Sequence, residues 1–248
     1  MYRTEAILTP MAEKLGRWLP LDGGHRAAIL GLPHVIRTLR AGEFMVREDD
    51  RPRHGWLLLS GFAIRHKVAG NGGRQILALH LMGDLIDPGQ SMPPHADHNI
   101  QALGGAKLAL IPVEALRDLA ARNPAVGEAM RLEALLEAAI FREWMLNLGR
   151  RDARTRTAHM VCELAIRLHM AGLSQRDHFD LPLTQEQLAD ALALTNVHVS
   201  RMFKALAAEG LIVRDNRRIT ILDFARLATV GDFDQRYLNL DRYGALPD

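Results

Sequence analysis

Residues 181–222 contain two short helical patterns followed by a basic hairpin pattern. Thr184 precedes the first helix, and Gln187 three residues later completes the signature of a capping box. A brief turn at Ala193-Leu194 leads to Thr195, which can cap a second helix. Two short helices joined by so tight a turn are typical of a helix-turn-helix, whose second helix can enter a major groove of DNA.

The second predicted helix has one apolar and one polar face. We expect the apolar face to point inward; it carries Val199, Met202, Phe203 and Leu206. After Gly210, Leu211–Arg214 and Arg218–Leu222 are expected to form a hairpin, or wing, around Asp215-Asn216-Arg217. The outer helix face and the wing arginines are our predicted DNA contacts: Thr195, Asn196, Val197, His198, Ser200, Arg201, Lys204, Arg214, Arg217 and Arg218. The three wing arginines would reach phosphates.

The segment from about residue 34 to residue 111 alternates short apolar runs with turns. Short strands separated by glycine turns predict a small antiparallel barrel or roll. Gly70-Asn71-Gly72-Gly73 is the clearest hairpin signal. The runs are Val35–Leu39, Glu43–Arg47, Trp56–Leu59, Phe62–Val68, Gln75–His80, and the stretch from Asn99 to Ile111.

Pro124 can begin a long helix that nothing interrupts before Gly149. Two apolar stripes run along it: the first is Leu132, Leu136, Ala139 and Leu146, and the second is Ile140, Trp144 and Leu148. A helix with two apolar faces needs two partners, here the strand domain and the same helix of a second subunit. The alternative is a helix buried inside one large domain. Asp152 is expected to cap the next helix, and Arg226–Leu240 to form a short helix that covers the winged domain.

These patterns predict an α+β protein with an N-terminal antiparallel β-roll, a long dimerisation helix and a C-terminal winged helix-turn-helix. The expected domains are residues 1–123, 124–150 and 151–248. No apolar stretch has the length of a membrane span, and no signal peptide pattern begins the chain, so we expect a cytoplasmic protein. The single cysteine, Cys162, excludes an intramolecular disulfide and cysteine-rich metal or iron–sulfur sites. Phosphate-loop, nucleophile-elbow and zinc-protease motifs are absent, so we expect neither an enzyme nor a cofactor.

Residues 34–222, and most strongly 181–222, resemble the Crp/Fnr family of cyclic-AMP receptor and fumarate–nitrate regulators. The resemblance is carried by Gly61, Gly83-Asp84, Ala109-Leu110-Ile111-Pro112 and the run from Thr195 to Arg201. It implies a transcriptional regulator that binds a near-palindromic DNA site as a homodimer and contacts RNA polymerase. It also implies that Arg201 is the recognition arginine. Val197 stands where many members carry a glutamate that accepts from cytosine, so their usual half-site is not expected here.

The same resemblance locates a candidate effector pocket at Gly83, Asp84, Asp87 and Asp97. Family members that bind cyclic nucleotides use a glycine, a glutamate, an arginine and a serine; the matching positions here are Asp87, Pro88, Ala96 and Asp97. Carboxylates would repel a phosphate, so we do not expect cyclic AMP as the effector. The alternative is a haem- or metal-dependent sensor that uses roll histidines, with His95 and His98 as a weak ligand pair. His66 and His80 are expected to be hydrogen-bonded or exposed side chains.

Overall fold

The computed structural model describes residues 7–87, 95–175 and 177–240. These residues form two compact units. The first consists of the described parts of residues 1–66, 78–138 and 239–248, and the second of Lys67–Leu77 and Ala139–Leu238. The mixed fold confirms the α+β prediction.

Eight strands form the roll in two four-stranded antiparallel sheets. One sheet has the order β1-β8-β3-β6 and the other the order β2-β7-β4-β5. The strands are β1 Val35–Leu39, β2 Phe44–Val46, β3 His54–Ser60, β4 Ala63–Val68, β5 Arg74–His80, β6 Leu85–Ile86, β7 Asn99–Ala102 and β8 Ala106–Pro112. All six predicted apolar runs contain strands, while the two-residue β6 was not predicted. Leu58, Ile100 and Leu108 are fully buried in the core between the sheets.

Three short helices flank the strands in sequence: α1 Thr9–Gly16, α2 Gly23–Leu30 and α3 Val113–Arg122. Helix α2 begins at Gly23-Gly24, although glycine is a poor helix former. Asp22 caps this helix by accepting a hydrogen bond of 2.8 Å from the His25 N–H, and an N-cap of this kind tolerates glycine in the first turn.

Helix α4, Pro124–Arg150, is continuous as predicted, and α5, Ala153–Met170, follows after a two-residue junction. The Asp152 side chain caps α5 at 2.8 Å from the Thr155 N–H. Leu136, Ile140 and Trp144 are buried on one face of α4. The opposite face exposes Leu135, Phe141, Met145 and Leu146. The first predicted stripe therefore mixes the two faces, because it groups the buried Leu136 with the exposed Leu146. The second stripe correctly places Ile140 and Trp144 on one face.

The rest of the second unit contains β9 His178–Asp180, α6 Gln185–Leu192, α7 Asn196–Ala208, β10 Ile212–Asp215, β11 Arg218–Ile221, α8 Phe224–Val230 and a 3₁₀ turn at Gln235–Leu238. Its sheet has the order β10-β11-β9. Strand β9 was not among the predicted strands. The single C-terminal helix expected at Arg226–Leu240 is also wrong, because Gly231 separates α8 from the 3₁₀ turn.

Helix α5 forms the centre of the second unit and packs against α6, α7 and α8. Cys162 on this helix is completely buried, and burial raises the pKa of its thiol to about 12. The thiol is therefore protonated and inert at neutral pH, as expected for a structural cysteine.

Candidate DNA-binding interface

The two helices of the helix-turn-helix are held by the predicted caps. The Thr184 hydroxyl accepts from the Gln187 N–H at 3.2 Å, and the Gln187 side chain accepts from the Thr184 N–H at 2.8 Å. The Thr195 hydroxyl accepts from the His198 N–H at 3.2 Å. The Gln185 amide donates to the Asn196 carbonyl at 2.8 Å and so links the starts of both helices. These bonds satisfy N–H groups that a helix start leaves without partners, and they fix the angle of the turn.

The turn itself requires a left-handed residue. Ala193 has φ 48° and ψ 51°, in the left-handed region that glycine adopts more readily than alanine. Its N–H donates to the Ala189 carbonyl and ends α6. An alanine in this conformation costs about 1–2 kcal/mol relative to the right-handed region.

Helix α7 separates its core face from its outer face. Val199, Phe203 and Leu206 are almost completely buried, while Met202 is half-buried. Six of the predicted contact residues on this segment are exposed: Thr195, Asn196, Val197, His198, Arg201 and Lys204. Ser200 is half-buried, so its hydroxyl is less accessible than the outer-face prediction assumed. The exposed set combines amide, imidazole, guanidinium and apolar groups, which can contact base edges in a major groove.

The wing is a β-hairpin with a two-residue turn, and Asp215 and Arg218 pair on either side of that turn. Asn216 has φ 52° at the turn, a conformation that asparagine tolerates better than most residues. Ile219 in β11 also pairs with Phe179 in β9, so a third strand supports the wing.

All three wing arginines make contacts within this unit. The Arg214 guanidinium lies 4.4 Å from the centre of the Phe203 ring, and burial lowers the pKa of Arg214. Arg217 donates to the Leu181 carbonyl at 3.0 Å and to the Pro182 carbonyl at 2.9 Å. The sequence predicts only phosphate contacts for these arginines, because their internal contacts have no signature at a fixed spacing.

Arg218 forms a more exposed contact. Its Nε lies 3.1 Å from Asp180, and both side chains are mostly exposed. A surface ion pair of this kind contributes at most about 1 kcal/mol. A phosphate can therefore replace Asp180 at small cost, whereas Arg217 would have to give up two backbone acceptors.

The candidate effector residues divide between two ion clusters in the first unit. Gly83, with φ 90°, and Asp84 form the turn before β6. Asp84 pairs with Lys14, which also pairs with Glu133 on α4. Burial alone would lower the pKa of Lys14, but the two carboxylates outweigh it and raise the pKa. Asp84 thus belongs to a salt-bridge cluster that includes α1 and α4, and Gly83 forms the turn that positions it.

Asp87 and Asp97 belong to the second cluster, around His98. Asp87 is buried and accepts from Arg65 at 2.8 Å, and Arg65 also pairs with Glu137 on α4. His98 lies 3.1 Å from Asp87 and 2.8 Å from the exposed carboxylate of Asp97. Burial alone would lower the pKa of His98, but its hydrogen bond to Asp87 outweighs this effect and raises the pKa.

Arg65 is the residue of this region that sequence analysis missed. It enters from the middle of β4, outside the segment that the resemblance aligns with the effector pocket. Burial alone would raise the pKa of Asp87, but His98 and Arg65 lower it. Asp87 is thus a charge-compensated anion. Pro88 lies outside the described residues.

The histidines of the roll have separate environments. His66 and His80 are both buried, so of the two expected alternatives the exposed one does not hold. His80 Nδ1 lies 3.6 Å from Asp84. His95 contacts Arg51 and the Asp49 carbonyl, whereas His98 contacts aspartates. Among the described residues, no group of three or more His, Cys, Asp or Glu side chains is arranged to hold a metal ion.

None of the helices in the described ranges is long and apolar enough to cross a membrane.

Comparison with known proteins identifies both units. The Crp-like helix-turn-helix domain matches residues 155–230, and the cyclic nucleotide-binding domain matches residues 36–123. The transcriptional activator protein FnrL of Cereibacter sphaeroides is 31% identical over 198 residues, which cover 77% of this chain and 78% of FnrL. The fumarate and nitrate reduction regulatory protein of Escherichia coli is 25% identical over 185 residues, 75% of this chain and 74% of that protein.

Solved structures show the same fold. FixK2 from Bradyrhizobium japonicum superposes with a TM-score of 0.73 at 25% identity, covering 80% of this chain and 98% of FixK2. A mutant of CooA from Carboxydothermus hydrogenoformans superposes with a TM-score of 0.67 at 17% identity, covering 93% of this chain and 98% of that chain. The capped helix-turn-helix, its wing and the roll therefore belong together in one known architecture, and the chain is a member of the Crp/Fnr family of DNA-binding transcriptional regulators.

Proposed function

We propose that this regulator reads each DNA half-site through Asn196, Val197, His198 and Arg201. The supporting observation is the division of α7, whose core face of Val199, Phe203 and Leu206 is buried while these four side chains are exposed in its N-terminal half. Arg201 can bind guanine O6 and N7 with two N–H groups. Val197 has only methyl groups to offer, which suit a thymine methyl. Thr195, Ser200 and Lys204, together with the wing arginines, act mainly on the phosphate backbone.

The regulator acts as a homodimer on an inverted repeat. Four exposed apolar residues on one side of α4 support this proposal: Leu135 is 48% exposed, Phe141 41%, Met145 60% and Leu146 43%. Exposed apolar residues clustered on one helix face are typical of a protein–protein interface. In a twofold dimer, the same face of α4 in a second copy would cover them. The bound dimer acts in the cytoplasm and contacts RNA polymerase, as expected of a transcriptional regulator of this family.

The sensor roll does not use cyclic AMP. Arg65 is the arginine that pairs with the candidate effector residue Asp87, and it is also engaged by Glu137. A cyclic phosphate would have to displace these carboxylates and would face their repulsion. The residues present therefore do not fit a cyclic nucleotide. DNA binding without an added effector is the expected behaviour of the purified protein.

Selection from a random DNA duplex pool tests the reading residues. We expect wild-type protein without effector to enrich an inverted repeat. Arg201→Ala should weaken binding to that site by about 1–3 kcal/mol, because it removes a bidentate contact. Val197→Glu should shift the selected half-site toward a cytosine, since a carboxylate accepts from its N4 amino group.

Val213→Glu is the matched control, because Val213 is exposed on the wing and lies outside the reading face. It should leave the selected motif unchanged. An identical motif for wild type and Val197→Glu, or equal affinity of wild type and Arg201→Ala, would exclude the assigned reading roles. Failure of wild type to enrich any repeat would reject effector-free dimeric recognition.

A further inference from the structure

A buried carboxylate lies at the centre of the second unit. Glu163 on α5 is 1% exposed. It accepts from the Trp144 indole N–H at 3.1 Å to each oxygen, from the Tyr237 hydroxyl at 2.7 Å and from Arg167 at 3.0 Å. Trp144 belongs to α4 and Tyr237 to the C-terminal 3₁₀ turn. One side chain therefore joins three segments of the chain.

His159, one helical turn earlier on α5, extends this contact. It is completely buried, with Nδ1 3.2 Å from the Gly231 carbonyl and Nε2 3.2 Å from the Tyr237 hydroxyl oxygen. Its ring stacks on that of Tyr237, with 5.9 Å between centroids and 15° between planes. The α5 backbone also approaches Gly231 so closely that a Cβ added to Gly231 would lie 2.7 Å from the backbone nitrogen of His159. The C-terminal segment is thus held at one fixed position along α5.

Arg151 makes the corresponding connection at the α4–α5 junction. Its NH1 donates to Glu143 at 2.6 Å and to Asn147 at 2.9 Å, both on α4. Its Nε and NH2 donate to the side chain and carbonyl of Asp232 at 3.0 Å and 2.9 Å. The C-terminal segment is therefore bonded to α4 as well as to α5. Arg151 makes this connection from the two-residue junction, Arg151 and Asp152, between the two helices.

We propose that Glu163, Tyr237 and Arg151 form a clamp that fixes the angle between α4 and α5 and thereby sets the spacing between the two half-sites. This role of the clamp rests on the proposed dimer, in which α4 relates the two subunits and α5 leads to the helix-turn-helix. Directional hydrogen bonds to the buried Glu163, together with those of Arg151, permit one arrangement, whereas apolar contacts alone would tolerate sliding. Each added base pair moves a half-site by about 3.4 Å and rotates it around the duplex, so a fixed helix angle selects one spacing.

A spacer competition separates this positioning role from a structural one. The pool contains the half-site selected by wild-type protein as inverted repeats with a range of central spacers. Wild type should prefer one spacer. Tyr237→Phe removes the hydroxyl but keeps the ring, and we expect its preference for that spacer over its neighbours to fall roughly tenfold, the loss of one bond to a charged group. The half-site motif should not change.

Two further variants keep the result interpretable. Ile166→Val removes one methylene from the buried face of α5 without touching the clamp, so it lowers stability but should keep the spacer preference. Arg151→Lys keeps the charge but loses the planar fork that contacts both α4 and Asp232, and it should broaden spacing even if Tyr237→Phe does not fold. The clamp would be overturned if a folded Tyr237→Phe or Arg151→Lys protein kept the wild-type spacer preference. It would also be overturned if Ile166→Val broadened the spacer preference as much as these variants do.

A second readout needs no DNA. Nitroxide labels at Arg142→Cys on α4 and Lys204→Cys on α7, in a Cys162→Ala background diluted with unlabelled protein, report the distance between these helices within a subunit. The clamp predicts a narrow distribution that Tyr237→Phe broadens. If wild type enriches no inverted repeat, the dimer proposal fails, and this measurement still decides the clamp: equal widths would refute it.

Discussion

Replacing Ala193 with glycine should stabilise the helix-turn-helix. Ala193 has φ 48° and ψ 51°, where its Cβ crowds the following carbonyl at a cost of about 1–2 kcal/mol. Glycine relieves that crowding but loses about 0.5–1 kcal/mol more backbone entropy on folding. The side chain is exposed, so removal of its methyl group forfeits little buried area. The difference leaves a gain of about 0.5–1 kcal/mol in the free energy of unfolding.

Thermal denaturation followed by circular dichroism measures this gain. For a chain of this size, 1 kcal/mol shifts Tm by about 2–4 °C, so Ala193→Gly should raise Tm by about 1–4 °C. Ala207→Gly is the control, because Ala207 is exposed and helical in the last turn of α7, and it should lower stability by up to about 1 kcal/mol. If both variants lower Tm alike, the left-handed strain at Ala193 does not exist and the reasoning fails.

Three further predictions concern the dimer, the wing and the roll. Met145→Asp on α4 should give a monomer in sedimentation and weaken binding to the inverted repeat by ~100-fold or more, because an unpaired carboxylate buried in an interface costs several kcal/mol. The control Leu222→Asp, at a similarly exposed residue outside α4, should remain dimeric. Arg218→Ala should reduce the slope of log affinity against log salt by about 1 per subunit, and Arg122→Ala on α3 should leave the slope unchanged. Since the folded-state pKa of His98 lies above 6.5, its contribution to stability is complete below pH 6.5 and is lost as pH rises through that folded pKa. Urea midpoints should therefore fall over this range in wild type and in His95→Gln, but less in His98→Gln.

Local chemistry explains what the sequence predicted well. The caps at Thr184, Thr195 and Asp152 depend on side chains one to three residues from the helix starts, so they can be read from a short stretch of sequence. The turn at Ala193-Leu194 follows from the position of two capped helices, whereas its left-handed backbone is seen only in the structure. The apolar runs of the roll were equally clear, because turn residues bound each of them.

The features that sequence analysis missed depend on distant partners. Strand β9 is only three residues long and exists through its pairing with β11. The exposed face of α4 was predicted incorrectly because apolar residues surround much of this helix. Their spacing alone does not show which of them are buried against the rest of the subunit. Arg65 and Tyr237 took their roles from Asp87 and Glu163, which are 22 and 74 residues away in sequence.

Val197 has a consequence for how such a regulator can diverge. Its side chain is 61% exposed and makes no part of the core, so substitutions there should change the free energy of folding by no more than about 0.5 kcal/mol. The same position faces DNA in the proposed complex. Base preference and folding are thus decoupled at this residue, and a single codon change can redirect the protein to a different set of promoters without a compensating mutation elsewhere.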